Sequence, residues 1–170
     1  EVNESAFAVE LINNYKCGVI SQHCDSAQPQ IAAENAGVFG CGYNSDMTKD
    51  APNAHLTAAI WNWNVYYGTA IKAAMECGEA ANFVPTMGSG AYYGGLKEGF
   101  VDVSALSENC ANGTDKAIEA VKAMIVSGEW DVFSGVKLSI TVAEDGTATV
   151  TKTDAALESN GFMYVDGNFK

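Results

Sequence analysis

The stretch from Gly18 to Tyr43, GVISQHCDSAQPQIAAENAGVFGCGY, constrains the fold more than any other. Two short apolar runs, GVIS and VFGCGY, have the length and composition of buried strands. Between them SAQPQIAAENAG reads as a helix, with Asp25 or Ser26 as its N-cap, Pro29 in its first turn and Gly37 as its stop. Strand, helix and strand in succession make a βαβ unit, so the two strands should run parallel with a right-handed crossover.

The pattern continues along the chain. Residues 4–15, ESAFAVELINNY, place Ala8, Leu11, Ile12 and Tyr15 on one helical face. HLTAAIW reads as a third strand, and NVYYGTAIKAAMECG as a helix ending near Gly78. AYYGGLKEGFVDV is an extended, glycine-broken segment that supplies a fourth strand. TDKAIEAVKAMIVSGEW predicts an amphipathic helix capped by Thr114, with Ile118, Val121, Met124 and Ile125 facing inward. VKLSITVAEDGTATVTK is a hairpin turning at Asp145-Gly146, and DAALESNG a short closing helix. The expected fold class is α/β, a parallel sheet with flanking helices. The first helix feeds a strand with no strand before it, and the chain opens on Glu without a signal peptide, so an incomplete N-terminus is expected.

Composition removes several function classes. Net charge is −12, and all nine basic residues are Lys. Bidentate recognition of phosphate uses the guanidinium fork of Arg. Nucleic acid is therefore disfavoured as a partner, and a neutral or cationic small molecule is favoured. No apolar run reaches the roughly 18 residues that a membrane-spanning helix needs. Five Cys occur, an odd number, with no CxxC or His-rich spacing, so no metal is expected. Cys17 and Cys41 sit in apolar runs and read as core, and Cys77 and Cys110 are one pair a disulfide could join. There is no GxSxG elbow, no P-loop and no GxGxxG after a strand, so neither a catalytic residue nor a cofactor is expected.

In open parallel sheets ligands bind beyond the carboxyl ends of the strands. QHCDS lies there after the first strand, YNSDM after the second and WNWN after the third, while GGLKEG belongs to the fourth. These loops can bring an imidazole, two carboxylates, two indoles and one ammonium to one crevice. His23 either contacts a ligand or closes a strand end. Asp25 either contacts it or caps the next helix. Asp46 is a turn residue or an acceptor for ligand hydroxyls and amines. Trp61 and Trp63 alternate, so in extended backbone they share a face, one as core and the other as a stacking platform. Lys97 lies among Gly94, Gly95 and Gly99, where backbone can approach a ligand closely. Adjacent side chains in an extended segment point to opposite faces, whereas a nucleophile and its base must meet. An α/β enzyme using Cys24 or His23 is an alternative, as is a ligand-sensing regulatory domain of the same fold.

VISQHCDSAQPQIAAENAGVFGCGYNSDM, HLTAAIWNWNVYY and YYGGLKEGFVDV together resemble the basic membrane lipoprotein family. Its members are substrate-binding lipoproteins of ABC importers, often for purine nucleosides or nucleobases. The resemblance runs over most of residues 1–135 and matches only the C-terminal portion of a member. It implies one lobe of a type I periplasmic-binding-protein-like fold, in which two α/β lobes are joined by three crossings and the ligand lies between them. On that pattern residues 1–103 form the ligand-binding lobe without its first strand. Residues 104–133 form a hinge crossing and a helix of the mostly absent N-terminal lobe, and 134–170 return to the C-terminal lobe. The resemblance implies that Asp46 and Lys97 hold ribose or base, with Gly42 letting the backbone approach. His23, Asp25 and Trp63 would contribute contacts, and no residue would be catalytic. Nucleoside-binding members have a glycine-rich loop where this chain has QHCDSAQ, which widens the expected ligand to a nucleobase or another aromatic heterocycle. The partners implied are a small solute and an ABC permease. The location implied is extracytoplasmic, at the cell surface or in the periplasm, with membrane attachment through a lipid anchor on the absent N-terminus.

Overall fold

The structure is a computed structural model that describes residues 2–156. The chain forms two compact units, one reaching to Asn109 and the other starting at Cys110.

The first unit contains, in chain order, α1 (Val2–Tyr15), β1 (Val19–Ser21), α2 (Gln28–Asn35), β2 (Phe39–Asn44), β3 (His55–Trp61), α3 (Trp63–Glu76), a 3-10 turn (Ala80–Asn82), α4 (Phe83–Met87) and β4 (Val101–Val103). The strands form one sheet in the order β1-β2-β3-β4. β1 and β2 are parallel, with Val19 opposite Phe39, and β2 and β3 are parallel, with Asn44 opposite Ile60. The expected βαβ unit is therefore present. β4 departs from the expected parallel sheet, because it runs antiparallel to β3 with Val101 opposite Trp61. The chain has already returned to the carboxyl end of β3 before β4 begins, so β4 can only run back the other way.

Burial alternates along β1 and β2. Ile20, Gly40 and Gly42 face the covered side, and Val19 and Phe39 the open one. The core on the covered side is built mostly from small residues: Ala8 and Ile12 of α1, Ile20, Ala32 and Ala33 of α2, and Ala51 and Ala54, with Cys17 and Val38 packed against them. Leu11 and Tyr15, expected on the same face of α1, are exposed. Gln30 lies buried beneath the sheet, and the two glycines of FGCGY make room for it. A Cβ on Gly40 would fall on the end of the Gln30 side-chain amide, and one on Gly42 would sit 3.0 Å from Ala58 Cβ and 3.1 Å from Met47 Sδ.

The start of α2 corrects the expected cap. Ala27 is the N-cap and makes no side-chain bond. Ser26 Oγ donates to Glu4 Oε2 at 2.5 Å, tying the α2 entry to α1, and Asp25 bonds elsewhere. Gly37 does end the helix, at a φ of +70°. Residues 80–87 form the 3-10 turn and α4. None of the five cysteines is in a disulfide, so the Cys77–Cys110 pairing is not made; Cys77 Sγ instead donates to Ala74 O at 3.3 Å.

In the second unit α5 (Thr114–Ser127) packs on a hairpin of β5 (Val136–Val142) and β6 (Ala148–Ala156). Met124 of its apolar face is buried, and Ile118, Val121 and Ile125 are partly so. The N-cap is Gly113, and Thr114 Oγ1 donates to Ala111 O at 2.7 Å. The turn falls at Asp145-Gly146 as expected: Gly146 has a φ of +84°, and Asp145 Oδ1 accepts from Thr147 N at 2.9 Å. Residues 154–156, expected to begin a closing helix, continue β6, and 157–161 lie outside the described residues.

Candidate functional site

β1, β2 and β3 end at one edge of the sheet, and β4 begins there. An antiparallel β4 brings to this edge the turn that precedes it, which carries Lys97. Asn62, just past β3, fastens that turn: its N–H donates to Phe100 O at 2.7 Å and its Nδ2 to Gly99 O at 2.8 Å. Within the turn Glu98 Oε2 accepts from Gly95 N at 2.7 Å, which lowers the Glu98 pKa. Lys97 itself is exposed.

A hydrogen-bonded chain spans the rim. Asn44 Nδ2 donates to Asp25 Oδ1 at 2.7 Å, and Trp61 Nε1 donates to Asn44 Oδ1 at 2.6 Å. Asn44 stands at a φ of +67°, a left-handed conformation that Asn tolerates better than most residues. Asp25, Asn44 and Trp61 thus lock the ends of three neighbouring strands together. Trp61 spends its N–H inside the rim and presents its ring.

The WNW segment is not extended throughout. β3 ends at Trp61 and α3 starts at Trp63, so the two rings meet across a strand-to-helix junction, with centroids 6.1 Å apart. Both rings pack on Phe100, each at 5.4 Å, with Trp63 edge-on at 84°. Phe100 also meets Tyr92 edge-on at 5.2 Å, and Tyr66 lies 5.4 Å from Tyr92. These rings, with Gly90 and Ala91, line a pocket of about 440 Å³. Trp63 is 50% exposed, so an aromatic surface stays open to solvent. Tyr66, Tyr92 and Phe100 were not legible as site residues. The signal was present in the spacing of Trp63 and Tyr66, one helical turn apart.

His23 lies on the other flank, exposed, with its ring 4.3 Å from Tyr43. It lines a smaller pocket of about 210 Å³ with Phe7, Leu11, Gln22 and Cys24. Gln22 Nε2 donates to Met47 Sδ at 3.1 Å, while its Oε1 is buried without a hydrogen-bond partner. A buried acceptor left unsatisfied costs about 1–3 kcal/mol, which a ligand N–H would recover. His23 and Trp63 therefore border two separate pockets rather than one.

Asp46 is set back from the rim. The loop after β2 folds over the covered face, where Met47 is buried against Gly42. Asp46 Oδ1 accepts from Thr48 N at 2.9 Å and from Thr48 Oγ1 at 2.5 Å, and these bonds hold its pKa below the usual carboxylate value. The same oxygen lies 3.6 Å from His55 Nε2. The Asp46 side chain is 55% exposed, so it can still meet a solute. His55, unremarked in the sequence as the first residue of a strand, is completely buried. Among the described residues no group of three or more His, Cys, Asp or Glu could hold a metal ion, and no helix is long and apolar enough to cross a membrane.

Residues 2–134 match the family model described as Bmp, ABC transporter substrate-binding protein PnrA-like. A purine-binding protein of Brucella abortus is 31% identical over 132 residues, which are 78% of this chain and 35% of that protein. A Haloferax volcanii protein named as an ABC transporter glucose-binding protein is 29% identical over 119 residues, 70% of this chain and 28% of its own length. Among solved structures, a transcriptional activator of the comK gene from Bacillus halodurans superposes with a TM-score of 0.59 at 16% identity. That match covers 76% of this chain and 44% of the other, and it concerns the fold alone. The chain thus spans under half the length of each of these relatives.

Proposed function

Because the chain belongs to the PnrA-like family of ABC transporter substrate-binding proteins, we propose that it forms the solute-recognising lobe of an importer's binding protein and takes a purine nucleoside or nucleobase at the rim of its sheet. The family is one of binding proteins rather than enzymes. The observation that carries the proposal is the aromatic pocket of Trp61, Trp63, Tyr66, Tyr92 and Phe100, next to a rim that ends in the carboxylate of Asp25. An open aromatic surface suits a planar ring, and carboxylates suit the N–H and O–H groups of a base or ribose. In this reading Trp63 stacks on the ligand, and Asp25, Asp46 and Lys97 bond its polar edge. His23 offers a further contact from the separate pocket on the other flank, and Gly42 keeps the β2 backbone close. A net charge of −12 suits a solute without phosphate.

The remaining roles follow from the same reading. The ligand lies between this lobe and a second one, and residues 104–133 form the crossing between them. The protein works outside the cytoplasm, held by a lipid anchor, and delivers its solute to an ABC permease. Calorimetry on the protein that carries this chain tests the proposal with adenosine, adenine and glucose. Heat with either purine compound and none with glucose is expected. Binding of glucose alone would transfer the assignment to sugars, and no heat with either purine would end the purine reading.

A further inference from the structure

We propose that His55 is a positioning residue for Asp46, and that protonation of its imidazole draws this carboxylate away from a bound solute. The inference rests on the reading that Asp46 contacts the solute.

Gln30 sets the state of the ring. Its buried amide faces Gly40 O, Gly42 N–H and His55 Nδ1. Only one orientation satisfies all three: Nε2 donates to Gly40 O at 3.2 Å, and Oε1 accepts from Gly42 N at 3.1 Å and from His55 Nδ1 at 3.0 Å. The opposite orientation would set donor against donor and acceptor against acceptor. Gln30 therefore fixes the tautomer. Nδ1 carries the hydrogen, and in the neutral ring Nε2 carries the lone pair.

That lone pair is aimed at Asp46. Nε2 lies 3.6 Å from Asp46 Oδ1 and 3.5 Å from Ser104 Oγ. The backbone of the same residue is anchored as well: Ser107 Oγ donates to His55 O, and Asn109 Nδ2 donates to it at 3.1 Å. Two acceptors, Nε2 and Oδ1, face each other in the neutral state, and Asp46 gains nothing from turning inward. A proton on Nε2 converts the pair into an ion pair, which competes with any donor on the solute. The charged groups around this pair are few. Asp46 is the group whose charge acts on His55, Lys49 acts on Asp46 from the same loop, and Glu34 of α2 bonds the Ala54 N–H one residue before His55. Burial holds the imidazole neutral at physiological pH, with Asp46 opposing.

The test measures the adenosine affinity of the protein that carries this chain from about pH 7.5 to about pH 5, reaching below the ordinary imidazole range because burial depresses the His55 value. Affinity should weaken about fivefold or more on acidification, within the usual span of coupling between two sites, and His55→Gln should flatten the profile. A second measurement leaves both residues intact. The His55 resonance, assigned by its loss in His55→Gln, should show an NMR titration midpoint that falls when adenosine is added, by the reciprocity of linked equilibria. It should also fall when Asp46→Asn is introduced. A profile unchanged by His55→Gln, or a midpoint unmoved by Asp46→Asn, overturns the inference. If Asp46→Asn leaves affinity unchanged near pH 7.5, the assignment of Asp46 to the solute fails instead, whatever the His55 midpoint does.

Discussion

Asn44 Nδ2 donates to Asp25 Oδ1 at 2.7 Å, so the last residue of β2 holds the carboxylate that follows β1. The same side chain accepts from Trp61 at the end of β3. One amide thereby sets the direction of an acid in the loop after β1 and an indole at the end of β3. The rim is organised by a residue that need not touch solute at all.

Substituting Asn44 separates its side-chain bonds from its backbone. Asn44→Gly keeps the left-handed φ and loses both bonds, at a cost of about 1–3 kcal/mol. Asn44→Ala loses the same bonds and adds a Cβ in the left-handed region, so it should be about 1 kcal/mol less stable than the glycine variant. Urea denaturation of the two variants checks the order. An alanine variant as stable as the glycine one would mean that the backbone relaxes out of this conformation.

Phe100 and Trp63 share a pocket but should behave differently. Phe100 is 6% exposed and supports both indoles, so Phe100→Ala should cost about 3–5 kcal/mol. Trp63, half exposed, should cost less when truncated. Trp63→Ala should instead remove most of the tryptophan fluorescence change seen on adding adenosine. A full fluorescence change in this variant would take Trp63 off the ligand.

Gly40→Ala should act through Gln30. The added methyl would occupy the position of Gln30 Nε2, the end of the amide that donates to Gly40 O, and push the amide off Gly42 N and His55 Nδ1. Overpacking of this kind costs about 1–3 kcal/mol, measurable as a lowered denaturation midpoint. Gly37→Ala, at a site with open space but a φ of +70°, provides a comparison in which strain alone operates. Wild-type stability in Gly40→Ala would show that Gln30 can leave its site at no cost.

Stability should also depend on pH through His55. Its folded pKa lies below the ordinary 6.5 because burial penalises the charged ring. The unfolded chain therefore takes up the proton first. The stabilisation is complete above about pH 6.5 and is lost as pH falls from there through the depressed folded value. Asp46, held below 3.8 by Thr48, loses its contribution only at lower pH, as the carboxylate itself titrates. Melting temperature against pH should decline in the wild type once pH drops below about 6.5, and His55→Gln should postpone that decline to the carboxylate range. The same decline in both proteins would exclude His55 as its source.

Part of the fold and of the rim is legible in the sequence. Alternation and turn chemistry are local, so the βαβ unit from β1 to β2 and the hairpin at Asp145-Gly146 can be read from their own residues. The strand-end positions of His23, Asp25 and Trp61 follow from the same periodicity. Asp25 shows where local reading stops. Its place before a helix makes it a cap candidate, but Ala27 occupies the cap and Asp25 turns to a partner 19 residues away.

The sequence by itself determined which residues alternate, where helices stop and which loops follow which strands, because each depends on neighbours within a few positions. Only the tertiary structure decided the direction of β4, the aromatic pocket and the burial of His55. Each of these depends on contacts between distant segments: Phe100 with Trp61, Gln30 with His55, Ser104 with Ala58. A strand's direction is set by which end of the sheet the returning chain reaches first. A polar residue's role is set by whether burial leaves it a partner. Neither quantity exists until the segments have been brought together.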